Sequence, residues 1–250
     1  GIDVKVEPQG STGTEPLSAA DIERADAVIF ATDVGVKGRD RFAGKPVIES
    51  GVKRAVNEPE AMVAEAVAAA KILYLEGYLW DPEEPRAAMR RAIEAARAAG
   101  RKVAFTLSEV FVIERHGDDF RALIDDGLID ILFANHLELA ALTGADDLEA
   151  GLAALKDKVP TLVVTCSADG ATALSGGERA TVPAEPIDQV VDTTGAGDLF
   201  AAGFLYGHVN AEPLETCLRR GAIAAAEVIS HYGARPEADL QKLMAERLTA

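Results

Sequence analysis

Only two cysteines occur in the 250 residues, Cys166 in a strand-like run and Cys217 in a helix-like run, with no CxxC pair. That excludes a disulfide framework and a cysteine-ligated zinc, and leaves buried thiols in a reducing cytoplasm as the expectation. Histidine is as sparse: His116, His136, His208 and His231 are scattered, so a histidine-rich metal site is not expected. Basic charge is also short. Lys and Arg total 25 against 41 Asp and Glu, a formal net charge of -16, which repels a phosphate backbone and anionic lipid over most of the surface. Nucleic acid and membrane are therefore not expected partners, although backbone amides can still hold a phosphate locally. The most apolar long run, AMVAEAVAAAKILYLEGYLW, is broken by Glu65, Lys71 and Glu76, and the chain opens on GIDVKVEP rather than a basic and then apolar leader. Neither a membrane span nor a signal peptide is expected, which points to a cytoplasmic protein.

What is present is a rhythm. Short β-branched or apolar runs alternate with longer amphipathic ones, as in βαβ units around a parallel sheet. Strands are expected over 3–7, 26–32, 45–50, 71–77, the run KVAFTL, 130–135 and 161–166. Helices are expected over 18–25, 58–70, 82–100, 118–127, 136–144, 147–157, 196–208, 212–231 and 237–248. Ser18 and Asp21 are spaced like a capping box with Asp in place of Glu, while Gly100 and Gly144 close their helices. Residues 170–184 alternate around Gly176-Gly177 and read as an antiparallel hairpin. The expected fold class is a three-layer α/β/α domain with a mainly parallel sheet and one small hairpin.

The densest chemistry lies in DTTGAGDLFAAGF, residues 192–204. Small residues at Gly195, Ala196 and Gly197 let a ligand approach the backbone, and the first amides of a helix have no intrahelical partner. With the helix dipole they suit the charge that develops on a phosphoryl group in transfer. Asp198, directly behind them, is positioned to take a proton from an attacking hydroxyl and is the candidate general base. A plain helix start with a favourable acid would use the same residues.

The longer motif resembles the second signature of the PfkB-type carbohydrate and nucleoside kinases, the ribokinase-like family. FANHLELAALTG, residues 133–144, resembles that family's N-x-x-E element, which implies that Asn135 and Glu138 organise magnesium indirectly. As a lone residue Asn135 would equally be a helix cap. VVTCSADGA resembles the strand and loop beside the nucleotide, with Thr165 and Gly170 at the matching positions. YLEGYLWDP, VAFTLSEVFVIERHGDDF and AAAEVISHYGARPE resemble the adenosine-kinase-like bacterial branch, and the likeness runs from about 71 to 249. The resemblance implies Mg-ATP as cofactor, Thr194 with Gly195 to Gly197 as the phosphate site, and a sugar or nucleoside acceptor. It also implies a monovalent cation such as K⁺ near Asp192, Thr194 and Gly233. No Walker loop competes, because GRDRFAGKP ends in proline where Ser or Thr would bind magnesium.

The first seventy residues resemble something else. VEPQGSTG, the Leu17-Ser18 to Asp21-Ile22 helix start, ADAVIFATDV and RFAGKPV are similar to the fructose-specific IIB component of the bacterial sugar phosphotransferase system. That likeness extends to about residue 69, lacks the family's first strand, and contains no cysteine before Cys166. Phosphocysteine transfer is therefore not expected from it. The two resemblances imply two parts, 1–70 and 71–250, in one continuous fold, and an engineered or recombined chimera whose kinase activity is absent or weak. An active kinase and a phosphotransferase-system binding module are the alternatives, and the oligomeric state is left open.

Overall fold

The computed structural model describes residues 7, 9–10, 13–14, 16–25, 27–31, 36–50 and 52–248. The strand expected over 3–7 lies outside them except for Glu7. The chain divides into two compact units, Gly1–Leu75 with Pro82–Val103, and Glu76–Asp81 with Ala104–Ala250.

In the first unit, β1 (Gln9–Gly10) and β2 (Gly13–Thr14) form a short antiparallel pair. Helix α1 (Ala19–Arg24) starts on Ser18, whose hydroxyl accepts from the Asp21 amide at 3.0 Å. The reciprocal bond differs from the expected capping box. Ser18 Oγ donates to Asp21 Oδ2 at 2.6 Å, because the shorter Asp side chain meets the hydroxyl rather than the cap's own amide. Strands β3 (Val28–Ala31) and β4 (Val47–Ser50) pair in parallel with Val28 opposite Val47. Ile22, Phe30 and Phe42 form a small buried cluster, with the two rings edge-on at 5.4 Å between centroids. Helix α2 (Val52–Asn57), which the periodicity does not announce, precedes α3 (Pro59–Ala69). Strand β5 (Ile72–Glu76) and α4 (Glu83–Ala98) follow, α4 burying Met89, Ile93 and Ala96 on one face as a 3.6-residue period requires.

Strands β5 to β10 make one sheet in the order β10-β9-β8-β7-β6-β5. The chain runs through β6 (Lys102–Thr106), α5 (Val110–Asp125), β7 (Ile131–Asn135), α6 (His136–Thr143), α7 (Leu148–Leu155) and β8 (Thr161–Thr165). Strands β6, β7 and β8 are parallel. The expected hairpin is β9 (Ala171–Ser175) and β10 (Glu178–Val182), both antiparallel to their neighbours. Three helices close the chain: α8 (Ala196–Val209), α9 (Leu214–Val228) and α10 (Leu240–Arg247).

One boundary departs from expectation. Helix α5 begins eight residues before the segment expected at 118, because VFVIERHG places Val112 and Ile113 on the same buried face as Phe120 and Leu123. The chain turns into it through Ser108, a non-glycine residue at φ 67°.

The first four residues of both β7 and β8 are buried, the pattern of parallel strands covered on both faces. Each strand then ends on a polar residue: Glu76 on β5, Thr106 on β6, Asn135 on β7 and Thr165 on β8. Open α/β sheets bind ligands outside these carboxyl ends. Trp80, Phe105 and Phe120 pack edge to face beneath them, and the Trp80 indole donates to Asp119 Oδ2 at 2.9 Å. Helices α8 and α9 approach almost backbone to backbone. A Cβ on Gly203 would stand 2.6 Å from the Arg220 carbonyl oxygen, and one on Gly221 2.8 Å from that of Phe200.

Candidate functional site

The loop before α8 is built around Asp192. Its Oδ1 accepts from the Thr194 amide at 2.9 Å and the Thr194 hydroxyl at 2.6 Å, and its Oδ2 accepts from the Gly233 amide at 3.0 Å. The Thr194 hydroxyl first, then the two amides, hold this carboxyl at about 2, below the ordinary aspartate value of 3.8. Gly195 caps α8 in the left-handed region at φ 81°. Its missing side chain matters twice, since a Cβ there would also meet Ala234 Cβ at 2.8 Å. Gly197 is different: nothing lies within 4 Å of where its Cβ would be, so that face of the first turn is open. The Ala196 amide donates to the Thr193 carbonyl at 3.2 Å, and the cap, having no side chain, places no side-chain acceptor on the first turn, which suits an incoming anion.

Asp198, in the first turn of α8, has a partner that the sequence reading did not single out. Burial first, then the charge and hydrogen bond of Asp198, push the Glu76 carboxyl above the ordinary glutamate value of 4.5. Glu76 is brought there by the end of β5, and the next residue explains the fit: a Cβ on Gly77 would stand 2.7 Å from the Leu107 carbonyl oxygen. The signal in the sequence was an acid closing a half-buried strand immediately before a glycine.

Asn135 and Thr165 are register partners at the ends of β7 and β8. Asn135 caps α6 in a full capping box: its Oδ1 accepts from the Glu138 amide at 2.8 Å, while its own amide donates to Glu138 Oε2 at 2.9 Å. Its side-chain Nδ2 also donates to Glu138 Oε1 at 2.7 Å. Glu138 is 5% exposed, and burial pushes its carboxyl upward against the opposing pull of the Asn135 amide. With both oxygens engaged by Asn135, this carboxylate suits holding Asn135 and ordered water, not direct ligation of a cation. No group of three or more His, Cys, Asp or Glu among the described residues is arranged to hold a metal ion. Magnesium needs no such group, because it takes most of its ligands from water and phosphates.

Gly170 sits at φ 89° where any Cβ would come within 2.0 Å of the Val182 carbonyl oxygen. It lets the β8–β9 turn fold against the end of β10, and its carbonyl accepts from the Cys166 amide at 2.7 Å. Thus Asp192, Thr194, Gly195, Gly233, Asp198 and Glu76 form one group around the start of α8, while Asn135, Glu138, Thr165 and Gly170 form another along β7 and β8. No helix of the described residues is long and apolar enough to cross a membrane.

Comparison with known proteins agrees with both sequence resemblances. Residues 49–240 match the profile of the pfkB family of carbohydrate kinases, and residues 1–65 match the lactose/cellobiose-specific IIB subunit of the phosphotransferase system. The two spans overlap over 49–65. The structure resembles a probable sugar kinase from Rhizobium etli (33% identity, TM-score 0.75) and the adenosine kinase from Sinorhizobium meliloti (32%, 0.73). Each alignment covers 93% of this chain and 80% of the other, so the fold is ribokinase-like. A fructokinase double mutant from Vibrio cholerae O395, solved in fructose, ADP and potassium ion bound form, is 25% identical at a TM-score of 0.59. That alignment covers 69% of this chain and 60% of the fructokinase. The cytidine kinase of Thermococcus kodakarensis is 36% identical over 107 residues, 42% of this chain and 38% of that protein. The fructose-like EIIB component 2 of Escherichia coli K12 is 42% identical over 66 residues, 26% of this chain and 62% of that protein. The chain therefore spans about two fifths of the curated kinase's length.

Proposed function

The chain belongs to the pfkB family of carbohydrate kinases, and from that premise we propose that residues 71–250 bind Mg-ATP and carry the phosphoryl-transfer half of a sugar or nucleoside kinase. One observation carries this reading. The open first turn of α8, with Gly195, Ala196 and Gly197, stands next to an acid, Asp198, that is itself in contact with Glu76. In the proposed reaction the acceptor hydroxyl oxygen forms a bond to the γ-phosphorus and the bond to the ADP oxygen breaks. Asp198 takes the hydroxyl proton, and the amides of the α8 turn stabilise charge on the transferring oxygens. Glu76, at the end of β5 beside Asp198, orients the acceptor hydroxyl. Asn135 and Glu138 would hold water around Mg²⁺, which neutralises phosphate charge when bound. Thr165 and Gly170 shape the nucleotide side. Asp192, Thr194 and Gly233 would brace a monovalent cation such as the potassium ion of the fructokinase structure, with the loop's carbonyls as ligands.

Residues 1–70 are proposed to be a IIB-like fragment joined to this kinase part, by design or by recombination. Its likeness to IIB over 1–65 supports that reading, and it bears on activity. Positioning of the acceptor supplies much of the rate in phosphoryl transfer, so a IIB-like segment where a kinase of this family would build its acceptor pocket leaves nucleotide binding as the surviving property and transfer absent or weak. A cytoplasmic location follows from the same reading.

Calorimetric titration with Mg-ATP, followed by an acceptor screen, tests this. Saturable binding is expected, and Asp198→Asn is expected to lower any phosphoryl transfer by about 10²- to 10⁴-fold while leaving nucleotide affinity intact. No heat from Mg-ATP or Mg-ADP would reduce the chain to a scaffold that keeps the fold and lacks the site.

A further inference from the structure

We infer that Glu227 is a positioning residue for the anion-binding turn, acting through the loop that follows α9. This rests on the kinase reading for its functional meaning. Glu227 lies in the last turn of α9 with its side chain 8% exposed. Its Oε1 accepts from the Glu237 amide at 2.8 Å and the Ala238 amide at 2.7 Å, and faces His231 Nε2 at 3.3 Å. Its Oε2 is buried with no hydrogen-bond partner among the described residues. Burying a carboxylate oxygen unpaired is costly, and an alanine or leucine would pack the helix end without that cost. Helix packing therefore does not explain the acid, whereas the two loop amides do.

Between those anchors the loop reaches the site. The Gly233 amide donates to Asp192 Oδ2 at 3.0 Å, and the Val191 amide donates to the Ile229 carbonyl at 2.8 Å. Ala234 is the surface against which Gly195 takes its left-handed turn, its Cα only 3.0 Å from where a Gly195 Cβ would stand. Glu227 thus fixes one end of a segment whose middle sets the floor of the α8 cap. His231 completes the brace from the same segment, with Nδ1 at 3.4 Å from the Tyr232 carbonyl and 3.9 Å from Glu237 Oε1. Freeing 237 and 238 would loosen 233–234, and with them the turn that presents the amides of 195–197.

Amide hydrogen exchange on the ligand-free chain tests this without requiring nucleotide. In Glu227→Ala the amides of Thr194, Ala196 and Gly233 are expected to exchange about tenfold faster or more, with the α9 amides of 218–226 unchanged. Glu227→Gln, which keeps an acceptor oxygen for the two loop amides, is expected to restore slow exchange. Unchanged exchange at Thr194 and Ala196 in Glu227→Ala would overturn the inference. So would failure of Glu227→Gln to rescue. If Glu227→Ala does not unfold cooperatively, the volume-matched Glu227→Leu takes its place, and loss of folding in both overturns the inference by making Glu227 a folding residue. Mg-ATP titration of the unmodified chain separates the two claims. If it shows no binding, the kinase reading falls while the exchange data still decide the role of Glu227.

Discussion

Two parallel strand pairs of nearly the same length, β3–β4 and β7–β8, meet very different surroundings. In β7–β8 the register partners Leu132 and Leu162 are both solvent-free, with Phe133 and Val163 buried beside them. In β3–β4 only Phe30 and Ile48 are buried among the described side chains, while Ile29 is 41% and Val47 37% exposed. Among the described residues β3 and β4 pair only with each other. Hydrogen-bonded pairing is the same in both; coverage of the faces is not. Parallel strands draw their stability from burial on both sides, so the later pair contributes more burial energy than the pair near the amino terminus.

The largest effect that could break this comparison is a ring deletion in each region. Phe105→Ala removes a solvent-free ring packed against Trp80 and Phe120 and is expected to cost about 3–5 kcal/mol in urea unfolding. Phe30→Ala, in a cluster of three buried residues, is expected to cost less than half as much, since a small cluster beside solvent relaxes. Equal costs would show that the two regions are equally built.

Next in size come the glycines of the hairpin side. Gly170→Ala drives a methyl into the Val182 carbonyl at φ 89° and is expected to cost about 2–3 kcal/mol or more. Gly176→Ala, at φ 55° with open space around it, should cost about 1 kcal/mol. Thermal unfolding of the pair distinguishes close approach from backbone strain alone.

A smaller effect separates strand bodies from strand ends. Because the folded state raises the Glu76 carboxyl above 4.5, its contribution to stability is present below that value and is lost as pH rises through the folded value. Glu76→Gln is therefore expected to be neutral or stabilising at pH 8 and to flatten the pH dependence of unfolding; a loss of stability at pH 8 would mean that the folded state does not raise this carboxyl. The smallest effect contrasts two carboxylates, one in the first turn of α1 and one in the loop before α8. Asp21, lowered mainly by the Ser18 hydroxyl, and Asp192, held at about 2, each contribute stability that is present above 3.8 and fades as pH falls through the folded value. Carbon-detected NMR titration should find Asp192 the lower of the two.

Much of the later region was legible because its residues carry one meaning each. Val, Ile and Leu runs of five with polar ends read as covered strands, and Gly100 and Gly144 ended their helices as left-handed residues at φ 66° and 70°. The DTTGAGD loop was legible as a helix start with small residues at its cap, yet its internal wiring was not. That Asp192 would reach the Gly233 amide, and that Glu76 would reach Asp198, depend on contacts across 41 residues and more, which no local pattern encodes. Glu138 was read for its charge, and the structure finds both of its oxygens held by Asn135. Helix α5 began early because an eight-residue run rich in Val and Ile satisfies strand and helix patterns alike until its buried face is known.

The close approach of α8 and α9 has a consequence for how such a chain can be assembled from pieces. Gly203 faces the Arg220 backbone and Gly221 faces that of Phe200, so each helix supplies the hollow that the other fills. A breakpoint placed between them would join a hollow from one parent to a side chain from another, and the first casualty would be the helix that carries Asp198. Recombinants that cross over before residue 196 or after 228 keep the pair intact, and a library of crossovers should recover folded chains on either side of that window and few within it.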